Sequence, residues 1–412
     1  MKSILFFQKL GIEPKEEFEI FKGAIFKKET IHIQSQPSKK ETVVNIYEIK
    51  FKGNSVVFNI LSAFKPIFPR FFLKNIKKGA IINAGFAFNI DYNKGGEPVD
   101  STYHLHVINH QLISLPTHTK TALISNKRKI RPVKIKARGF LYFDNTKIAW
   151  IGSHERNKKT KNIAIVFGVS NIGLIKDKNS KISIDGKRKF VKKRHGYKNI
   201  VIGLKNYRGD NILYIKKKSN KKVKILEGVF VLQAPENIAE NLNIEDRIND
   251  WSIDGYSSKE IENAVTVGVI IVKSLKKLYH NIKNEKIIIT RDVLTKKPYY
   301  SKLDSQRARS CIFETTDQKI HFLLVDARPK IVTQQGMSLR DLSDYIYKNN
   351  KIIWAVSCDG GQSSKICFKQ NNKLRVYGNL HYLSLKNNIP KWIGQDGRAI
   401  TSCVIATPRK FA

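Results

Sequence analysis

The stretch IIWAVSCDGGQSS, residues 352–364, is an apolar run that ends directly in a carboxylate, two glycines and two serines. Residues 352–356 predict a buried β-strand, which would place Asp359 near its tip. Glycines at that point let a ligand approach the backbone, and successive N–H groups beside hydroxyls form a concavity suited to anionic oxygens. Taken alone, the stretch is more typical of a tight turn whose Asp bonds its own backbone.

Apolar strands that end in polar residues recur elsewhere in the chain, and this recurrence favours a functional interpretation of residues 352–364. The segments are AIINAGF at 80–86, RSCIF at 309–313, FLLVDAR at 322–328 and GMSLRDL at 336–342. The first three are apolar strands that end or begin at a polar side chain. The fourth predicts a helix start in which Ser338 is the N-cap and Asp341 lies three residues on.

In this order, the motifs resemble those of the phosphodiester glycosidases. That family has an NGGFF strand end, an RTAIG strand, a VDGR turn, a GM[ST]L helix start and an LDGGGSS turn. The matching residues are Asn83, Gly85, Phe86, Arg309, Asp326, Arg328, Asp359, Gly360, Gly361, Ser363 and Ser364. Ala84, Ala327 and Gln362 stand where the family has glycine, and the arginine strand lacks its terminal glycine. The resemblance is clearest over residues 78–115 and 300–380, and it implies that the segment between them is elaborated family core.

The expected fold class is α+β, with strand-rich mixed sheets and a few helices, as the resemblance to phosphodiester glycosidases also implies. Helices are predicted at 258–263 and 339–348, and the proline-containing segment 58–73 is interpreted as a packed connector. Residues 1–75 are predicted to be an N-terminal strand-rich segment packed on the core. Residues 76–412 would form the glycosidase-like domain, with a basic elaboration of strands and loops at about 120–235.

The activity that the resemblance implies is cleavage of a sugar-1-phosphodiester at the anomeric carbon. Such a reaction needs an acid or base, a group that supports positive charge at that carbon, and cations for the phosphate. Asp326 and Asp359 are the candidate carboxylate pair, with their individual roles left open, and Asn83 could bind a sugar hydroxyl or position water. The candidates for binding substrate and phosphate are Arg309, Arg328, Gly85, Gly360, Gly361, Ser363 and Ser364. Each charged residue could instead belong to a structural ion pair.

The charge of the chain suggests a second class of function. The formal net charge is +41, and residues 120–224 contain 31 Lys and Arg against 5 Asp and Glu. Such a region favours nucleic acid or another polyanion as a partner, although a lysine-rich coding bias would also raise the charge. The alternative to an enzyme is therefore a non-catalytic or weakly catalytic polyanion-binding protein that retains the glycosidase fold. An enzyme acting on a sugar-phosphate polymer would combine both features.

The sequence predicts neither a cofactor nor a membrane-spanning segment. The cysteines Cys311, Cys358, Cys367 and Cys403 lack metal-ligand spacing and are interpreted as buried thiols. His104 and His106 alternate on a strand and so face the same side, which could indicate a metal site or a general base, but surface exposure is the commoner fate of such a pair. No apolar run is long enough for a membrane helix, and the N-terminal apolar run is too short for a secretory signal, so a cytoplasmic location is expected.

Overall fold

The computed structural model describes residues 15–34, 41–85, 105–126, 129–153, 155, 162–168, 174–176, 182–184, 190–207, 210–271, 306–327, 336–370, 372–378, 381–383, 390–392 and 400–409. Within these residues the fold is dominated by β-strands, which are numbered β1–β30 in chain order. The described α-helices are short: α1 is Pro69–Phe72, α2 is Glu236–Glu240 and α3 is Leu339–Asn349. Among the described residues, no helix has both the length and the apolar character needed to cross a membrane.

The expectation of an α+β fold is therefore wrong. The helix predicted at 258–263 is a single 3₁₀ turn, Ser258–Glu260, because a strand begins at Asn263. The segment interpreted as a connector instead contains β4, Val56–Ile67. Strand β4 lies at the edge of its sheet, where a proline such as Pro66 is tolerated because one side of the strand has no ladder partner. Of the two predicted helices, only the one at 339–348 forms, as α3.

Four sheets account for most of the strands. Sheet 1 contains β1 Glu16–Phe21, β2 Ala24–Gln34, β3 Glu41–Lys52, β23 Arg309–Thr315, β24 Lys319–Val325 and β25 Ile352–Ser357. Sheet 2 contains β4, β5 Gly79–Asn83, β26 Lys365–Gln370, β27 Lys373–Gly378 and β30 Ile400–Pro408. Sheet 3 contains β6 His106–Ile108, β7 Gln111–Ser114, β8 Lys120–Asn126, β9 Lys129–Ile135 and β22 Asn263–Thr266.

Sheet 4 has eight strands. They are β10 Arg138–Tyr142, β11 Lys147–Gly152, β12 Ala164–Phe167, β16 Tyr197–Tyr207, β17 Asp210–Ser219, β19 Phe230–Pro235, β20 Asp250–Ile253 and β21 Tyr256–Ser257. Three two-stranded ribbons complete the described strands: β13 Leu174–Lys176 with β14 Ile182–Ile184, β15 Phe190–Val191 with β18 Val223–Lys224, and β28 His381–Leu383 with β29 Pro390–Trp392. The described ladders are antiparallel except for that between β11 and β12.

Sheet 1 is buried on both faces, which explains why β24 reads as a nearly continuous apolar run. Phe322 on one face of β24 joins a core with Phe368 of sheet 2. Leu323 on the opposite face packs in a separate core with Leu342 of α3. A third core fills the space between sheets 3 and 4 and contains the fully buried Trp150. Sheet 1 is thus held rigidly between sheet 2 and α3, and its strand ends are fixed in position.

Candidate functional site

The start of β23 lies between the ends of two neighbouring strands. The ladders pair Arg309 with Val325 of β24 and Cys311 with Ser357 of β25. Because both neighbours are antiparallel to β23, they run parallel to each other and end at the same edge of sheet 1. Asp326 follows β24, and Asp359 lies just beyond β25. The topology therefore brings the backbone of both aspartates to the edge where Arg309 begins its strand.

Asn83, at the end of β5, joins this edge to sheet 2. Its side chain is 1% exposed. The Nδ2 group donates a hydrogen bond to the Asp359 carbonyl oxygen at 2.7 Å. Its Oδ1 atom accepts from Ser310 Oγ at 2.5 Å and from the Lys365 amide at 2.9 Å. The Asp359 amide donates to the Ala84 carbonyl at 2.9 Å. Asn83 thus fixes the turn that carries Asp359 against the start of β23.

Two glycines are required here for different reasons. Gly85 donates its amide to Ser402 Oγ at 2.8 Å, and a Cβ atom on it would lie 2.3 Å from Val265 Cγ2. Only glycine fits this close approach. Gly361 has φ +70°, in the left-handed region, and open space where a Cβ would be. Its amide donates to the Ala308 carbonyl at 2.8 Å, so the turn after Asp359 is tied to β23 a second time.

Arg309 is a buried cation directly behind this turn. Its side chain is 7% exposed, and its Nε donates to the Met337 carbonyl at 3.1 Å. Burial, together with the nearby positive charge of Arg307, lowers the pKa of the guanidinium to about 9, against the opposing effect of Asp341. Arg309 is therefore charged at neutral pH. A Cβ on Gly360 would lie 3.7 Å from an Arg309 terminal nitrogen, so the positive charge lies against the glycine turn.

The remaining motif residues line the same edge. Asp326 is 7% exposed, and its Oδ1 accepts the following amide, that of Ala327, at 2.8 Å. Ser363 is 6% exposed. Ser364 is fully buried, and its hydroxyl has no hydrogen-bond partner among the described residues. Arg328 and Phe86 lie outside the described residues, so their predicted places are not assigned.

Solved structures with the same architecture extend over most of this chain. A hypothetical protein from Synechocystis is 11% identical, with a TM-score of 0.55; it matches 96% of this chain, which spans 64% of that protein's length. A protein of Burkholderia pseudomallei that is thought to be exported is 11% identical, with a TM-score of 0.54, over 91% of this chain and 76% of that one.

The chain shares their fold.

The catalytic domain of zebrafish N-acetylglucosamine-1-phosphodiester alpha-N-acetylglucosaminidase is 9% identical over 97% of this chain and 89% of that domain, with a TM-score of 0.47. A likeness at that score supports no conclusion about function. No protein-family model matches the sequence, and no curated protein matches it either.

Several polar residues at this edge were not predicted from the sequence. Ser310 and Ser402 provide hydroxyls to Asn83 and Gly85, although each lies within an apolar strand. Lys365, at the head of β26, is 1% exposed, which is unusual for a lysine. In sheet 3, Lys120 at the start of β8 was counted with the basic loops but is 9% exposed. One sequence signal could have identified such residues: a lysine or serine that lies in an otherwise apolar strand beside a motif.

The histidine and cysteine interpretations have separate outcomes. His104 lies outside the described residues, and the expectation of surface exposure is wrong for His106, which is fully buried. Burial lowers the pKa of His106 to about 4. Cys311 and Cys358 are buried, as expected, and burial raises the pKa of both thiols, which keeps them protonated. Among the described residues, no group of three or more His, Cys, Asp and Glu side chains could hold a metal ion.

Proposed function

We propose that this chain is a hydrolase that cleaves a sugar-1-phosphodiester between the anomeric carbon and the phosphate oxygen. The observation that carries the proposal is the parallel arrangement of β24 and β25 on either side of β23. It brings Asp326 and Asp359 to one edge of sheet 1, as a reaction with two carboxylates requires. The motif order that resembles the phosphodiester glycosidases supports the same reaction class.

The proposed reaction transfers the sugar to water. The bond between C1 and the bridging oxygen breaks, and its electron pair leaves with the phosphate, which departs as a monoester. Water provides the new oxygen on C1 and loses one proton to a carboxylate. Asp326 and Asp359 would share two tasks, accepting that proton and stabilising positive charge at C1. Because phosphate is already a good leaving group, protonation of the leaving oxygen is less important here than in ordinary glycosidases.

The groups around the glycine turn are suited to the phosphate. Arg309 would provide positive charge behind Gly360, where the backbone leaves room for phosphate oxygens. Ser364 would donate its buried hydroxyl, which has no partner among the described residues. Asn83 would act as a positioning residue, because its contacts hold the Asp359 turn. Arg328 remains a proposed phosphate ligand on the strength of the resemblance alone.

Substitution of the aspartates tests this proposal. Asp326→Asn and Asp359→Asn keep the side-chain shape and remove the charge. We expect both variants to fold and to hydrolyse a panel of sugar-1-phosphodiesters about a hundredfold more slowly, or worse, than the unmodified protein. Asp210→Asn, an exposed aspartate on β17, is the matched control and should retain full activity. Full activity in both site variants would show that the carboxylates are structural.

A further inference from the structure

The ribbon of β15 and β18 brings two lysine-rich loops together. We name the basic surface by its five lysines, Lys192, Lys193, Lys221, Lys222 and Lys224, all of which are exposed. The ladder pairs Phe190 with Lys224 and Val191 with Val223. Lys192 and Lys193 directly follow β15, and Lys221 and Lys222 directly precede β18. The neighbouring cluster at 187–189 lies outside the described residues and is not included.

The ribbon has one apolar and one basic face. Val191 and Val223 pack into a core with Val201 and Val231 of sheet 4. Because side chains alternate along a strand, Phe190 and Lys224 belong to the opposite face of the ribbon. The other four lysines are exposed in the segments that directly adjoin the ribbon. Like charges directly across a ribbon are destabilising. Exposed lysines carried by adjoining loops likewise repel one another, and a bound anion would relieve that repulsion.

Buried side chains fix the backbone of both loops. Gln233 Nε2 donates to the Lys192 carbonyl at 2.9 Å, and Asn199 Nδ2 donates to the Lys221 carbonyl at 2.9 Å. Gln233 Nε2 also donates to Asn199 Oδ1 at 2.9 Å, and both side chains are buried. A single buried amide pair thus sets the distance between the two loops. The cations are carried on a rigid support, which lowers the entropy lost on binding.

The lysines of the basic surface differ from other lysines of the same region in their ion pairs. Lys198, Lys205 and Lys217 form ion pairs with Glu240, Glu245 and Glu227 at 3.8, 2.5 and 2.8 Å. Among the described residues, none of the five lysines of the basic surface forms an ion pair with a carboxylate. Glu227 accepts a hydrogen bond from the Lys224 backbone, but its carboxylate pairs with Lys217 and not with a lysine of the basic surface.

We propose that the basic surface binds the backbone phosphates of duplex nucleic acid without reading the base sequence. Clustered, exposed cations on a fixed backbone are the electrostatic footprint of such binding. The proposal is independent of the hydrolytic site, which lies at the edge of sheet 1. It assigns a second binding function to the chain.

Neighbouring aromatic and apolar groups argue against other partners. Single strands bind through exposed aromatic rings that stack on bases. Here the Phe190 ring is covered by Lys222 Nζ at 5.2 Å and the Tyr197 ring by the Arg194 guanidinium at 3.8 Å. A membrane surface would require apolar anchors beside the cations. The large exposed apolar side chains among the described residues are Phe71, Phe140, Ile244 and Ile353, and none belongs to the basic surface.

Titration of a short duplex DNA at several salt concentrations tests this proposal. Each phosphate neutralised contributes roughly 0.9 to the slope of log affinity against log salt, so five lysines should give a slope of about −4 or steeper. Replacing all five lysines of the basic surface by Gln should remove about four from the magnitude of that slope. Because the side chains are exposed and their charges repel, the variant should fold and unfold at an unchanged or slightly higher temperature.

A matched control separates a local site from overall charge. The control replaces five exposed lysines elsewhere, Lys50, Lys52, Lys74, Lys77 and Lys78, by Gln and so changes the net charge equally. It should bind duplex DNA with nearly the original slope. Equal losses in the two variants would show that binding reflects net charge alone and would overturn the proposal. Tighter binding to the corresponding single strand, or to vesicles of anionic lipid, would overturn the choice of partner.

Discussion

Replacing Asn83 by Ala should both destabilise the protein and impair the candidate site. The change removes the Nδ2 group, which donates one hydrogen bond, and the Oδ1 atom, which accepts two. The Ser310 hydroxyl and the Lys365 amide are then buried without this partner, and each such group costs about 1–3 kcal/mol. The Asp359 carbonyl, partly buried, loses its donor as well. We therefore expect the free energy of unfolding to fall by about 4 kcal/mol.

The control for this experiment is Asn59→Ala. Asn59, like Asn83, has three side-chain hydrogen bonds, but its Oδ1 atom accepts all three: from Ser125 Oγ at 3.0 Å, Asn263 Nδ2 at 2.9 Å and the Ile60 amide at 2.8 Å. None of them reaches the Asp359 turn. Urea unfolding should show losses of the same order in both variants. Hydrolysis, measured where each variant is fully folded, should fall only in Asn83→Ala. A stability loss below about 1 kcal/mol in Asn83→Ala, or equal hydrolysis in the two variants, would refute this reasoning.

Two further predictions concern residues beside the site. Burial lowers the pKa of His106 to about 4. Below pH 6.5 the unfolded chain therefore binds a proton at this residue more readily than the folded chain does. The free energy of unfolding should fall by about 3 kcal/mol between pH 6.5 and pH 4 for this reason. His106→Gln should lack this component when unfolding is measured across that range, and identical pH profiles would contradict it. Gly85→Ala should lower the free energy of unfolding by about 1–3 kcal/mol, measured by heat or urea, because the added methyl group would overlap Val265. Gly168→Ala is the control and should lower it much less, because its Cβ would lie 3.4 Å from Thr117.

The strands that carry the motifs were predictable because their signals are local. Residues 352–356 form β25, and the Ser338 hydroxyl accepts the Asp341 amide at 3.0 Å in a capping box. A buried apolar run that ends in a polar residue specifies both a strand and the position of its tip, so these features need little tertiary information.

The fold class was not predictable in the same way. Ser257 and Glu260 form a capping box, which is typical of a helix start, but only one 3₁₀ turn follows because the next residues pair with sheet 3. Pro66 suggested a connector, yet edge position makes proline acceptable in β4. Both errors come from tertiary pairing, which local signals do not report.

Burial of individual polar side chains also depended on tertiary contacts. The alternation of His104 and His106 gave no indication that the His106 side chain would be fully buried on β6, the strand between β7 and β22 in sheet 3. Lys120 was indistinguishable from the surface lysines that follow it, although it lies at the head of β8 and is mostly buried. In a chain this rich in lysine, composition masks the few cations that are buried.

The position of the bond that is cleaved tests the central claim most directly. Hydrolysis of a sugar-1-phosphodiester in ¹⁸O-labelled water, followed by mass spectrometry of both products, reports which atom water attacks. Attack at the anomeric carbon, as proposed for Asp326 and Asp359, places the label in the free sugar and leaves the phosphomonoester unlabelled. Label in the phosphomonoester, or no turnover of any diester in the panel, would contradict the assignment of this chain as a phosphodiester glycosidase.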